Sequence, residues 1–300
     1  LRPSGRTAQD VRVPNRGGLD VRTKVIALLA AATLVAGGFV AGLAGARRGG
    51  GDATGLPGFT RVVSLSHVNS PRRTPLFPGD PAFTLRTVAT VPADGFYMQV
   101  AREGEHTGTH YSAPCHFREG KACADDLNAA DYVLPAVVID VRDEVAADAN
   151  HVVTKADLQQ WETDHGEMPQ GAAVLLWTGC DEFWGPELAR NEPTYYNCGQ
   201  PGSKFSQPGF TQWAVRWLIE TGVLGRRGAL GSDTFGPDPS SDASFVESWL
   251  TLNRHRFTLE NLTHLGQLPT SGGWIVIGGP RNRHGSGAAS TIFGLVPAET

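Results

Sequence analysis

Short runs of β-branched and aromatic residues recur along the chain, separated by Gly- and Pro-rich punctuation. From Thr60 the order is RVVSLSHV, a Pro-broken stretch PRRTPLFPGDPAF, then TLRTVATV and GFYMQVAR. This content and spacing predict strands joined by turns. Further short apolar runs at 136–141 (AVVIDV), 173–178 (AVLLWT), 228–233 (GALGSD) and 274–277 (WIVI) have the character of buried strands. Between them the period changes. Thr154 is placed to cap a helix running to His165. The stretch 210–222 carries an apolar stripe of Phe210, Trp213, Ala214, Trp217 and Leu218, with Gly222 as its stop. A third helix is expected over 245–252. Strands and helices interspersed without internal repeat predict a single α/β domain built on a mixed sheet.

The first segment departs from this pattern. Arg22 and Lys24 precede an uncharged stretch, 25–46, that ends in Ala44-Gly45-Ala46. A basic start, an apolar run and an A-x-A end predict a secretory signal peptide over 1–46, with translation starting at Val21 as a variant of that reading. The alternative is an uncleaved membrane anchor, since the run is about long enough to span a bilayer. Its glycines and alanines, and Arg47 and Arg48 beyond it, speak for cleavage. Residues 47–59 then form a Gly-rich linker, and 60–300 the folded domain. The expected location is secreted or extracytoplasmic.

Composition adds two constraints. Without residues 1–46 the chain keeps 20 basic and 28 acidic residues, a net charge of −8. With no basic stripe, nucleic-acid binding is excluded, because it requires phosphate neutralisation. The four cysteines, Cys115, Cys123, Cys180 and Cys198, include no C-x-x-C pair. Cys115–Cys123 and Cys180–Cys198 are the expected disulfides, each closing a short loop, as an exported protein allows. Four buried free thiols are the alternative.

The densest chemical signal is EHTGTHYSAPCHF, residues 105–117. His106, His110 and His116 lie within eleven residues, with Gly108 able to turn the backbone tightly and Pro114 stiffening the approach to His116. Imidazole is the commonest neutral metal ligand, and a bound metal makes hydroxide accessible near neutral pH. Three histidines so close in a Gly/Pro-shaped loop form a ligand or catalytic cluster. Phe77 and Phe96 are candidates to line an apolar substrate pocket, although aromatics near Pro-rich turns often belong to a core. Cys115 beside His116 suggests a thiol nucleophile, but a disulfide to Cys123 is the more economical reading.

HTGTHYSAPCH resembles the H-x-G-T-H-x-D-x-P-x-H signature of the cyclase family, which includes bacterial kynurenine formamidases and isatin hydrolases. SLSHVNS…PLFPGDPAF, LPAVVIDV, HGEMPQGAAVLLWTG, GSDT, LENLTHLGQLP and GGPRNRHGSGAAS extend the likeness from about Thr60 to Pro297. The resemblance implies a swivelling β/β/α fold around a barrel-like sheet, usually in a homo-oligomer, that hydrolyses amides, often N-formyl or cyclic, or esters of small molecules. It implies His106 and His110 as ligands of a divalent ion (zinc, with manganese the alternative), Glu260 as a later acidic ligand, and His116 as general acid/base. Glu260 otherwise reads as a surface helix residue.

Two positions depart from the family pattern. Ser112 stands in the metal centre where the motif has aspartate, and Ser248 where two-metal members carry histidine. A hydroxyl is a much weaker ligand for a divalent ion than a carboxylate. One ion is therefore expected, not two. The rival class is a non-catalytic secreted binding protein in which the metal site has decayed. Ser112 as a nucleophile is disfavoured, because no G-x-S-x-G elbow surrounds it.

Overall fold

Within the strand Val133–Asp140 alternate residues enter two different cores, and this alternation organises the whole molecule. The computed structural model describes residues 56–185, 193–202 and 204–298. The segment expected to be a signal peptide, and most of the 47–59 linker, lie outside the described residues. Among the described residues, no helix is long and apolar enough to cross a membrane.

In chain order the strands are β1 (Phe59–Ser64), β2 (Thr84–Ala89), β3 (Met98–Arg102), β4 (His110–Ser112), β5 (Val133–Asp140), β6 (Val152–Val153), β7 (Ala173–Trp177), β8 (Gly209–Phe210), β9 (Arg227–Ser232), β10 (His255–Glu260), β11 (Gly273–Gly278), β12 (Gly287–Ala289) and β13 (Thr291–Pro297). The helices are α1 (Val91–Asp94), α2 (Arg142–Ala147), α3 (Lys155–His165), α4 (Gln212–Glu220) and α5 (Val246–Thr251). Nine strands form one mixed sheet in the order β1-β13-β11-β5-β7-β9-β10-β4-β12. Its centre, β5-β7-β9-β10, is parallel, and both flanks are antiparallel. The sheet curls into a half-barrel. Past β1, Ser66 bridges to Leu262 just beyond β10, and Ser290 donates to the Thr109 carbonyl at 2.8 Å.

Because side chains alternate across a strand, Val137 and Ile139 of β5 pack outward with Val174, Leu176, Leu158, Trp161, Ala214 and Leu218 under α3 and α4. Leu134, Ala136 and Val138 point into the curl with Leu175, Ala229, Phe257, Leu259, Ile275 and Ile292. Burying a large apolar side chain stabilises by roughly 1.5–3 kcal/mol, so both faces contribute heavily.

Local signals explain the helix ends. Thr154 forms a capping box with Asp157, whose Oδ2 accepts from the Thr154 amide at 2.7 Å. The helix expected from Phe210 starts later. Gly209 and Phe210 pair with Val152 and Val153 as β8 with β6, and Thr211 caps α4 by accepting from the Ala214 amide. The buried stripe is accordingly Ala214, Val215, Trp217 and Leu218, while Trp213 is 66% exposed. The cysteines pair as expected, Cys115 with Cys123 and Cys180 with Cys198, at Cα separations of 5.1 and 4.8 Å.

Candidate metal centre and cavity

β4 lies between β10 and β12, and its register builds the site. His110 pairs with Glu260, Tyr111 with Leu259 and Ser112 with Thr258. Tyr111 and Leu259 enter the inner core with Ala288 of β12, so His110, Ser112, Thr258 and Glu260 share the opposite face. Glu260 is therefore a strand residue directly across from His110, not a surface helix residue. Its Oε1 accepts from Thr258 Oγ1 at 2.9 Å and lies 3.1 Å from Ser112 Oγ, and its Oε2 stands 3.3 Å from His110 Nε2.

Each imidazole is anchored at one edge. His110 Nδ1 lies 2.8 Å from the Gly108 carbonyl, which also accepts from Asn261 Nδ2 at 2.8 Å. Gly108 adopts φ +63°, and a side chain there would run into Asn69, so glycine is required twice over. With Nδ1 donating to Gly108, Nε2 is the His110 atom that faces Glu260. This Nε2 is buried, and despite the 3.3 Å approach it lacks the geometry of a hydrogen bond. His106 meets Ser286 Oγ through Nε2 at 3.0 Å and Ser112 Oγ through Nδ1 at 3.2 Å. His116, on the turn Pro114–His116, stacks over His106 with centroids 3.9 Å apart.

The charges respond to this crowding. Burial alone would raise Glu260, but the facing His110, with His106 and His116 behind it, holds its carboxyl down at about 2. Burial depresses His106 to about 3, reinforced by repulsion from His110 and His116. His110 is raised in spite of burial, because the Glu260 carboxylate outweighs it. Burial also lowers His116, partly offset by Glu260.

Among the described residues, no group of three or more His, Cys, Asp or Glu side chains stands arranged to hold a metal ion. The donor chemistry nevertheless suits a divalent cation. An orphaned, buried imidazole nitrogen faces a carboxylate, and a second imidazole adjoins the same carboxylate through Ser112. Such outward anchoring of ligand rings is the usual support of a metal centre.

The cluster forms one end of a cavity of about 300 Å³. Phe77 lines it, together with Phe117, Phe235 and Phe245. Phe96 does not. It is 54% exposed at the turn before β3, in the connection of the separate two-stranded β2–β3 sheet. Sequence reasoning missed Asp80 and Asp238, which also line the cavity. Both sit in Pro-flanked turns, PGDP and PDP, a signal that a carboxylate is rigidly presented. Ser248 anchors Asp238, donating from both its amide and its hydroxyl. No Lys or Arg is among the lining residues. His255 pairs with Asp131 at 2.7 Å, and Arg281 clamps the carbonyls of Ala124, Asp125 and Leu127, so both are engaged outside the cavity lining.

A neighbouring histidine sets an acid limit on the fold. His67 stacks on Trp184 at 4.0 Å, its Nε2 is buried without a partner, and burial depresses it to about 4. The unfolded imidazole protonates near 6.5, so this contribution is fully present above that pH and is lost as pH falls towards 4. Thermal melts of metal-free protein should show falling stability across that window. His67→Phe, which keeps a ring on Trp184 but cannot titrate, should flatten the slope. An unchanged slope would assign the acid lability elsewhere.

A curled mixed sheet with a histidine-carboxylate cluster at one end of an aromatic cavity defines the class, and solved isatin hydrolases share the fold. One bound to the product analogue thioisatinate superposes with a TM-score of 0.68 at 26% identity, over 79% of this chain and 92% of that one. Isatin hydrolase A from Labrenzia aggregata bound to benzyl benzoate gives 0.67 at 25% identity, over 79% and 94%. By sequence, the isatin hydrolase of Roseibium aggregatum is 29% identical over 259 residues, covering 81% of this chain and 94% of that protein. The kynurenine formamidase of Delftia acidovorans is 25% identical over 194 residues, covering 63% and 76%. Residues 63–239 match the family model described as "Putative cyclase", and the chain belongs to that family.

Proposed function

We propose that this protein is a metal-dependent hydrolase of amide bonds in small, uncharged or cationic aromatic molecules. The observation that carries the reading is the convergence of His110 Nε2, His106 Nδ1 and the Glu260 carboxylate at one end of a phenylalanine-lined cavity. These three side chains would hold one divalent ion, zinc in preference to manganese given two imidazoles and a carboxylate. When bound, such an ion polarises a carbonyl oxygen and acidifies water.

The protein's own groups supply the rest. His116 presents an imidazole to the cavity and, held neutral by burial, would take a proton from the attacking water at a ring nitrogen and return it to the leaving nitrogen. Phe77, Phe117, Phe235 and Phe245 exclude water and stack on the substrate's apolar part. Asp80 and Asp238, unopposed by any lining Lys or Arg, disfavour an anionic substrate. The two disulfides support an oxidising location outside the cytosol.

Titration of metal-stripped protein with zinc and manganese, followed by assay on a panel of N-formyl and cyclic aryl amides, tests this reading. One ion per chain and metal-dependent turnover are expected. No binding of either ion would favour the non-catalytic alternative. Ser112→Asp sharpens the test. Ser112 Oγ is 3.1 Å from Glu260 Oε1, so a carboxylate there confronts another in the metal-free protein. Metal-free melting should fall, while zinc affinity should rise by about 10–100-fold, the scale of a supporting-ligand change. Lower affinity in the variant would show that the cation does not sit beside residue 112.

A further inference from the structure

We infer that Glu105, acting through Ser286, is a positioning device that fixes the tautomer of His106 and turns its Nδ1 lone pair towards Ser112 and Glu260. The argument is a count of protons. Ser286 donates its amide to Glu105 Oε2 at 2.7 Å, and its hydroxyl oxygen lies 2.7 Å from the same Oε2. An ionised carboxylate only accepts, so the single hydroxyl proton of Ser286 belongs to Glu105. The same Oγ is 3.0 Å from His106 Nε2 and has only lone pairs left to offer. Ser112 stands likewise between His106 Nδ1 at 3.2 Å and Glu260 Oε1 at 3.1 Å, but both contacts are longer than those of Ser286. Nε2 therefore carries the imidazole proton, Nδ1 is bare and the Ser112 hydroxyl turns to Nδ1.

Surrounding packing is built for this relay. A Cβ at Gly285 would stand 2.8 Å from Glu105 Oε1, and one at Gly287 would stand 2.9 Å from His106 Cε1. Glycines on both sides of Ser286 thus let Glu105 and the His106 ring close on it. The Ser286 carbonyl accepts from the Ala113 amide at 2.7 Å, which pins the segment to the chain just past β4. His110 reaches the same arrangement by a shorter route, through the Gly108 carbonyl. Both rings are thus held at one nitrogen, and each turns the other towards the Ser112–Glu260 side. The bearing of this on metal binding rests on the proposed function; the tautomer itself does not.

The decisive measurement is a long-range proton–nitrogen correlation spectrum of metal-free, histidine-labelled protein at pH 8, with the His106 signals assigned by their loss in His106→Gln. Wild type should show a single tautomer protonated at Nε2. Ser286→Ala should populate the other tautomer, Ser286→Thr should restore the first, and Glu105→Ala should behave like Ser286→Ala. In a competitive chelator titration, Ser286→Ala should weaken zinc binding by about 10–100-fold and Ser286→Thr should recover it. A wild-type ring protonated at Nδ1, or a tautomer unchanged in both Ser286→Ala and Glu105→Ala, would overturn the inference. Should Ser286→Ala not fold, Ser286→Thr against Glu105→Ala decides it. Failure of wild type to bind zinc would count against the proposed function and leave the tautomer result intact.

Discussion

His110→Ala is expected to abolish metal binding and, with it, hydrolysis. His110 is buried, and its Nε2 is the group that faces Glu260. Truncation removes one of two imidazole ligands and also strands the Glu260 carboxylate beside the neutral hydroxyls of Ser112 and Thr258. Removing one member of a buried charged pair typically costs about 3–5 kcal/mol, so metal-free melting should fall as well. Glu260→Gln in the same background should recover part of that stability but none of the metal affinity, because it removes the stranded charge and not the deficit in ligands. Zinc titration and thermal melts on the two proteins give both readings. Stoichiometric zinc retained by His110→Ala would place the metal centre elsewhere in the protein.

His116→Ala should show the converse, with metal retained and turnover reduced by about 10²–10⁴-fold, the usual worth of a general acid/base. His116 opens to the cavity and stacks on His106, but its ring makes no contact as close to Glu260 as that of His110. Its neighbours are aromatic, Phe117 edge-on at 4.7 Å on one side and His106 on the other. Truncation therefore leaves space without leaving a buried charge, and melting should change little. The pH dependence of the residual activity should lose its acidic limb, since a neutral His116 is required and protonation removes it. If His116→Ala released the metal, His116 would be a ligand, and the proton-transfer role would need another group.

The sequence exposed the parts of this molecule whose signals are local. β5, β7, β9 and β11 are short apolar runs, and Thr154 with Asp157 is a capping pair readable from two letters. The His106–His116 loop stood out by composition alone. The assembly of the site is non-local. Glu260 comes to face His110 only because β10 pairs antiparallel with β4, and HRFTLE, with Phe257 and Leu259 its only apolar residues, is too short an alternation to declare a strand. Ser286 reaches His106 from 180 positions away, which no window of sequence reports. Phe96 was misplaced because an aromatic beside a turn looks the same whether it ends in a cavity wall or on an exposed ribbon. Trp213 joins the expected stripe only through Phe210, three positions back, and Phe210 belongs to β8 and not to the helix, so the face is set by Ala214, Val215, Trp217 and Leu218.

The pairing of three-residue β4 with β10 has a consequence for how this protein can change. Point substitutions at 110 or 112 alter a donor and leave the architecture standing. An added or deleted residue between Thr109 and Ala113 would shift the alternation by one, turning His110 and Ser112 into the apolar interior and carrying Tyr111 out into the cavity. Lineages descended from this chain can therefore explore the chemistry of the site letter by letter, but its length is frozen, whereas the exposed β2–β3 ribbon is free to grow or shrink.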